Sequence, residues 1–149
     1  MPLKERLQED MKAALKEKGT GKLKLSVIRL ALSEIKNKEI DVQKELDDAA
    51  ITEVLNKEVK KRREAIPEYE RLGRTETVNE LEQEIKILSV YLPEQMTAEE
   101  LKSIVRETIT ETGAAGRGDI GKVMSVVMPK VKGRADGKFV NKIVSEMLS

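Results

Sequence analysis

Apolar residues recur every three or four positions through almost the whole chain, and no segment alternates inside and outside as a half-buried strand would. Leu3, Leu7, Met11 and Leu15 step by four, Leu25, Ile28, Leu32 and Ile35 follow, and Gly19-Thr20-Gly21 separates the two stripes. A third stripe reads Leu55, Val59, Arg62, Ile66, Tyr69, in alternating steps of four and three, and a fourth reads Val78, Leu81, Ile85, Leu88, Leu92. Aromatic residues are only 2% of the chain, so any core is built from Leu, Ile, Val, Met and Ala. With 37% charged residues this describes amphipathic helices with solvated outer faces. The expected class is all-α.

The spacing predicts an N-terminal helical domain over residues 1–96 that contains a long antiparallel hairpin of the third and fourth helices. Leu72-Gly73 is its turn, and Thr77 with Glu80 is a capping box for the fourth helix. The acidic stretch at 41–48 ends the second helix, with Asp47-Asp48 as capping residues. Pro67 falls inside the third helix and predicts a bend near residues 63–66. Arg62 sits on the hairpin seam, where a snorkelling side chain paired with Glu82 or Glu84 of the facing helix is expected. The cluster Lys57, Lys60, Lys61, Arg62, Arg63 reads as a solvated face balanced by Glu53, Glu58 and Glu64.

Tyr91-Leu92-Pro93 closes the fourth helix, and Thr97 with Glu100 opens a second domain over residues 97–149 as a small three-helix bundle. Its fifth helix carries Leu101, Ile104, Val105 and Ile109. Its sixth carries Ile120, Val123, Met124, Val127, Met128 and Val131, with Asp119 as cap and Pro129 tightening the end. The seventh carries Phe139, Val140, Ile143, Val144, Met147 and Leu148, with Asp136 as its cap. Gly133 stops the sixth helix.

The formal net charge is only +1, which argues against a strongly basic nucleic-acid binder, but the distribution is uneven. Residues 1–96 hold 19 Lys+Arg against 20 Asp+Glu, whereas residues 112–149 hold 7 against 3. The tail excess gathers at the turn between the last two helices: Lys130, Lys132, Arg134, Lys138 and, one turn further, Lys142.

The chain has no histidine and no cysteine, so it has neither a disulfide framework nor thiol chemistry. No catalytic residue, cofactor site or metal site is called for. Ser125 and Lys122, three apart, are chance-level for a Ser-Lys arrangement. Residues 116–121 satisfy G-x-G-x-x-G and residues 116–122 satisfy G-x-x-x-x-G-K. Both motifs need a preceding strand, the run before them is helical, and Val123 stands where a P-loop needs Ser or Thr. A charged amino terminus and the lack of a membrane-length apolar run exclude a secretory signal and a membrane span, and make the cytoplasm the default.

Four motifs, YLPEQ at 91–95, GKVM at 121–124, MPKVKG at 128–133 and ADGK at 135–138, with the flanking segments at 57–74 and 80–96, resemble the GatB/YqeY family. The tail is similar to that of GatB, the subunit of the tRNA-dependent amidotransferases, and the likeness covers nearly the whole chain. The resemblance implies a small tRNA-binding or amidotransferase-associated accessory protein. Its partner would be tRNA or a tRNA-modifying or aminoacylation enzyme, and its RNA contacts Lys130, Lys132, Arg134, Lys138 and Lys142. One alternative is a protein-interaction module acting through the third and fourth helices without RNA. A second is a family-inherited carbon-nitrogen ligase activity with glutamine as amido donor, although the catalytic body and the glutaminase have no counterpart in these residues.

Overall fold

The computed structural model describes residues 1–17, 19 and 21–149. Among them are seven α-helices and no strand: α1 (Leu3–Lys16), α2 (Lys22–Val42), α3 (Asp48–Arg71), α4 (Thr75–Ser89), α5 (Ala98–Thr112), α6 (Ile120–Val131) and α7 (Gly137–Leu148). The fold is all-α. The chain divides into two compact units, Met1–Leu92 and Pro93–Ser149.

In the first unit, α3 and α4 lie side by side as a hairpin, α1 packs on α2, and α2 touches both arms. Leu7, Ile28, Ile35, Ile51, Leu55 and Leu88 are fully buried among these helices. Two positions depart from the expected stripes. Leu15 is exposed and the smaller Ala14 takes the inner place on α1, next to the turn. There Gly21 is buried so close to α1 that a Cβ would lie 2.5 Å from the Ala14 carbonyl oxygen. Only glycine fits. Thr20, expected in that turn, lies outside the described residues.

The helix ends show which polar residues cap. Asp47 Oδ1 accepts the Ala50 amide at 2.8 Å and so caps α3. Asp48 Oδ1 accepts the Leu3 amide at 3.1 Å, which gives an otherwise unbonded first-turn donor of α1 its partner. Glu39 makes a second tie. It accepts the Leu46 amide at 3.0 Å and the Lys4 ammonium at 2.9 Å, joining α1, the end of α2 and the α2–α3 loop. The Leu46 amide foremost, then Lys4, holds its carboxyl below the usual range. The expected box of Thr77 and Glu80 is absent. α4 starts two residues earlier at Thr75, so Thr77 is already inside the helix and cannot cap it. Pro67 removes one hydrogen-bond donor from α3, yet the helix continues through it to Arg71.

Arg62 and Tyr91 bring polar atoms into this unit. Arg62 is buried rather than snorkelling: its guanidinium lies 3.1 Å from Glu58 and 3.6 Å from Glu84 across the hairpin, and Nε has no partner. Glu84 is thus the facing acid and Glu58, one turn back on the same helix, is the closer one. Tyr91, beyond the end of α4, is also buried. Its hydroxyl donates to the Asp10 carboxylate, and the Arg6 guanidinium stands 5.0 Å over its ring. Burial first, then the bond to Asp10, pushes the phenol well above its ordinary range.

In the second unit, α5, α6 and α7 pack around Leu101, Val105, Val123, Val127, Val140 and Val144, all fully buried. Thr97 Oγ1 accepts the Glu100 amide at 3.1 Å and caps α5. Residues 94–96, placed before the boundary by the sequence pattern, belong to this unit because they are bonded to the turn between α6 and α7. The Met96 amide donates to the Arg134 carbonyl at 2.9 Å, Gln95 Nε2 to the Gly133 carbonyl at 3.2 Å, and Arg134 Nε to the Glu94 carbonyl at 2.9 Å. The turn itself needs Gly133, whose φ is +81°.

Three outcomes test these assignments. Arg62→Ala leaves Glu58 buried beside an emptied space and is expected to cost about 3 kcal/mol in urea unfolding, whereas Arg62→Leu with Glu58→Leu recovers most of it. Glu39 has a depressed pKa, so its contribution is complete above pH 4.5, the ordinary value, and is lost as the pH falls through the lower folded-state value. Glu39→Gln should therefore lower the unfolding midpoint at neutral pH and close the gap with wild type in acid. Arg134→Ala removes one hydrogen bond worth about 1 kcal/mol and should speed amide exchange at Met96; unchanged exchange there would show that the strap does not depend on the side chain.

Candidate functional site

The basic residues of the tail gather at the end of α6, the turn and the start of α7. α6 stops because Lys132 leaves the helical region, with φ −54° and ψ 128°, and Gly133 reverses the chain. The Arg134 and Ala135 amides then both return to the Val131 carbonyl, at 2.9 and 3.2 Å. Asp136 stands at the N-cap position of α7 but makes no side-chain cap bond; its carbonyl accepts the Val140 amide instead.

The five expected contact residues fall into two groups. Lys130 and Arg134 are engaged within the unit. Lys130 Nζ donates to Glu111 at 3.0 Å and to the buried Thr108 hydroxyl at 3.2 Å, joining α6 to α5. Arg134 holds the strap and lies 3.8 Å from Glu100 at the start of α5. Lys132 is exposed at the turn, and Lys138 and Lys142 are exposed one turn apart on α7. The acidic face of α5 thus takes up two of the tail cations. Lys130, Lys132, Lys138 and Lys142 are all exposed, and lysine ammonium ions at such a surface are suited as point charges to phosphate oxygens. Arg134's role at the strap was not visible in the sequence, because its partner is a main-chain carbonyl 40 residues away.

Phe139 departs from its expected stripe. It is 37% exposed and lies outside the apolar cluster of the unit, while Val140, Ile143 and Val144 fill the inner face of α7. Its basic neighbour at helical spacing is Lys142, three residues on.

Other candidates resolve into structural roles. Residues 116–122 follow helix α5, not a strand. They form a loop, a short 3-10 turn at Arg117–Asp119 and the start of α6. Asp119 does not cap α6 through its side chain; the carboxylate turns back to accept the Ala115 amide at 2.9 Å and closes the loop. Ser125 donates to the Lys122 carbonyl at 2.8 Å rather than facing its ammonium. A groove of about 200 Å³ between α2 and α3 is lined by both signs of charge, among them Glu34, Lys38, Asp41, Lys57 and Lys61. Among the described residues, no three acidic side chains converge as a metal site would require, and no helix is long and apolar enough to cross a membrane.

Comparison with known proteins bears on this chain at the level of family. It is 30% identical over 146 residues, 96% of its length and 79% of the relative, to "Altered inheritance of mitochondria protein 41, mitochondrial" of Pyrenophora tritici-repentis. It is 38% identical over 95 residues to the protein of the same name in Lachancea thermotolerans, and 38% over 86 residues to that of Kluyveromyces lactis. It spans 50% and 45% of the length of these two yeast relatives. The names correct the cytoplasmic default drawn from the amino terminus: these relatives are mitochondrial, and charge that excludes a secretory signal does not decide between compartments. The model of the YqeY-like proteins matches residues 4–148, and the chain belongs to that family.

Proposed function

We propose that this YqeY-like protein is a small tRNA-binding or tRNA-amidotransferase-associated accessory protein that meets RNA through the α6–α7 turn. The observation that carries the reading is the gathering of the tail cations at one ordered turn. Lys132, Lys138 and Lys142 are exposed around one turn together with Lys130, which Glu111 also holds, and the Glu94 carbonyl with Glu100 orders Arg134 among them. The strap at 94–96 holds that turn from behind, so the lysine ammonium groups are presented on an ordered backbone. The likeness of this tail to that of GatB supports tRNA as the RNA.

Binding of this kind neutralises phosphates and releases counterions. Its affinity therefore falls steeply with salt and shows little sequence preference. The turn supplies charge but no nucleophile, base or oxyanion-stabilising group, so the reading assigns recognition to this chain and leaves chemistry to a partner enzyme.

Titrating the full chain with bulk tRNA over a salt series tests this. Lys132→Ala, Lys138→Ala and Lys142→Ala combined should weaken binding and flatten the plot of log affinity against log salt by roughly two units, at about 0.7 to 0.9 per lost phosphate contact. Arg134 stays in place in that variant, so the strap is intact. Failure of the folded wild type to bind tRNA, together with capture of a protein partner that survives nuclease treatment, would shift the assignment to a protein-interaction module.

A further inference from the structure

Phe139 is the one phenylalanine of the chain and one of three aromatic residues, yet α7 turns it outward. The helix has no need of it inside: Val140, Ile143, Val144 and Leu148 already occupy the inner face and are buried. Helical geometry sets Phe139 beside Lys142, three residues on, so the ring has an exposed lysine as its neighbour on α7. A lone exposed hydrophobic residue is ordinary on a protein surface. A ring beside a lysine at a basic turn has the two elements that single-stranded nucleic acids engage, a face for a base and charge for the adjoining phosphates.

We infer that Phe139 is a stacking platform for an unpaired base, and that the RNA segment held by this turn is single-stranded rather than duplex. The inference rests on the RNA reading above and narrows it to a substrate class. A paired base keeps both faces against its neighbours in the stack, so a side chain on the outside of a helix reaches only its edges. Lysine ammonium groups do not make this distinction, because phosphates line single strands and duplexes alike. The two kinds of side chain on α7 therefore leave different signatures. Lys138 and Lys142 contribute to binding any RNA, and Phe139 contributes only where a base is free to lie on it.

The experiment compares an oligoribonucleotide without self-complementarity and a duplex of the same length, each titrated with the full-length protein. The proteins are wild type, Phe139→Ala, Phe139→Leu and Phe139→Trp, all checked for native helix content. Phe139→Ala and Phe139→Leu should weaken binding of the single strand about 5- to 100-fold, the range for one lost base stack, and leave the duplex within about twofold. Phe139→Trp should retain the affinity, and its indole fluorescence should be quenched by the single strand. Leucine keeps the apolar bulk without the ring, so a Phe139→Leu protein that binds the single strand like wild type would overturn the stacking role. Equal losses on both RNAs would overturn it as well, since they would mark a general effect on the turn. If wild type binds neither RNA, the RNA reading itself falls and this inference with it. If wild type binds both RNAs and is indifferent to residue 139, the RNA reading stands and only the stacking platform is lost.

Discussion

Burial of aliphatic side chains along one face of each helix is the interaction on which the remaining features depend. Of three aromatic residues in 149, only Tyr91 is buried, so the two units together have one ring to fill their cores. Closure comes from Leu, Ile and Val meeting at close range, and that requires the helices to approach nearly in contact. Gly21 shows how close, since α1 leaves no space for a Cβ there. Cores built this way in units of this size are modest, and the polar ties at their edges matter correspondingly more.

Those ties follow one pattern in both units. A side chain near a helix end reaches across to satisfy a main-chain group of another segment: Asp48 takes the Leu3 amide, Glu39 the Leu46 amide, and Arg134 the Glu94 carbonyl. The bonds of Asp48 and Arg134 join residues 45 and 40 apart, that of Glu39 ties the end of α2 to the loop seven residues on, and each gives a backbone group its partner. Arg62 works differently, as a charge inside the hairpin matched by Glu58 and Glu84. Its unpartnered Nε marks the position as one where an apolar residue would meet fewer demands.

The charge pattern of the second unit also follows from helix packing. The tail carries its positive excess in α6, the turn and α7, while α5 alongside is acidic over Glu99, Glu100, Glu107 and Glu111. Packing α5 against α6 brings opposite charges together and withdraws Lys130 and Arg134 into intramolecular bonds. Lys130 remains exposed while so held, and Lys132, Lys138, Phe139 and Lys142 are exposed beyond it.

The all-α class, the seven helices and the hairpin turn at Leu72-Gly73 were legible because helical periodicity and glycine punctuation are local properties of the chain. So were the caps at Asp47 and Thr97, where donor and acceptor lie within three residues. The cap expected of Thr77 did not form because α4 begins ahead of it at Thr75, whereas Asp119 and Asp136 do stand at their N-cap positions but make no side-chain cap bond, Asp119 turning its carboxylate back to the Ala115 amide. The basic cluster of the tail could be counted from sequence, and so could the motifs that tie it to its family. That α5 holds Lys130 and that Phe139 lies outside the apolar cluster could not. Spacing places a residue on a helix, but only the neighbouring helices decide which third of its circumference is covered.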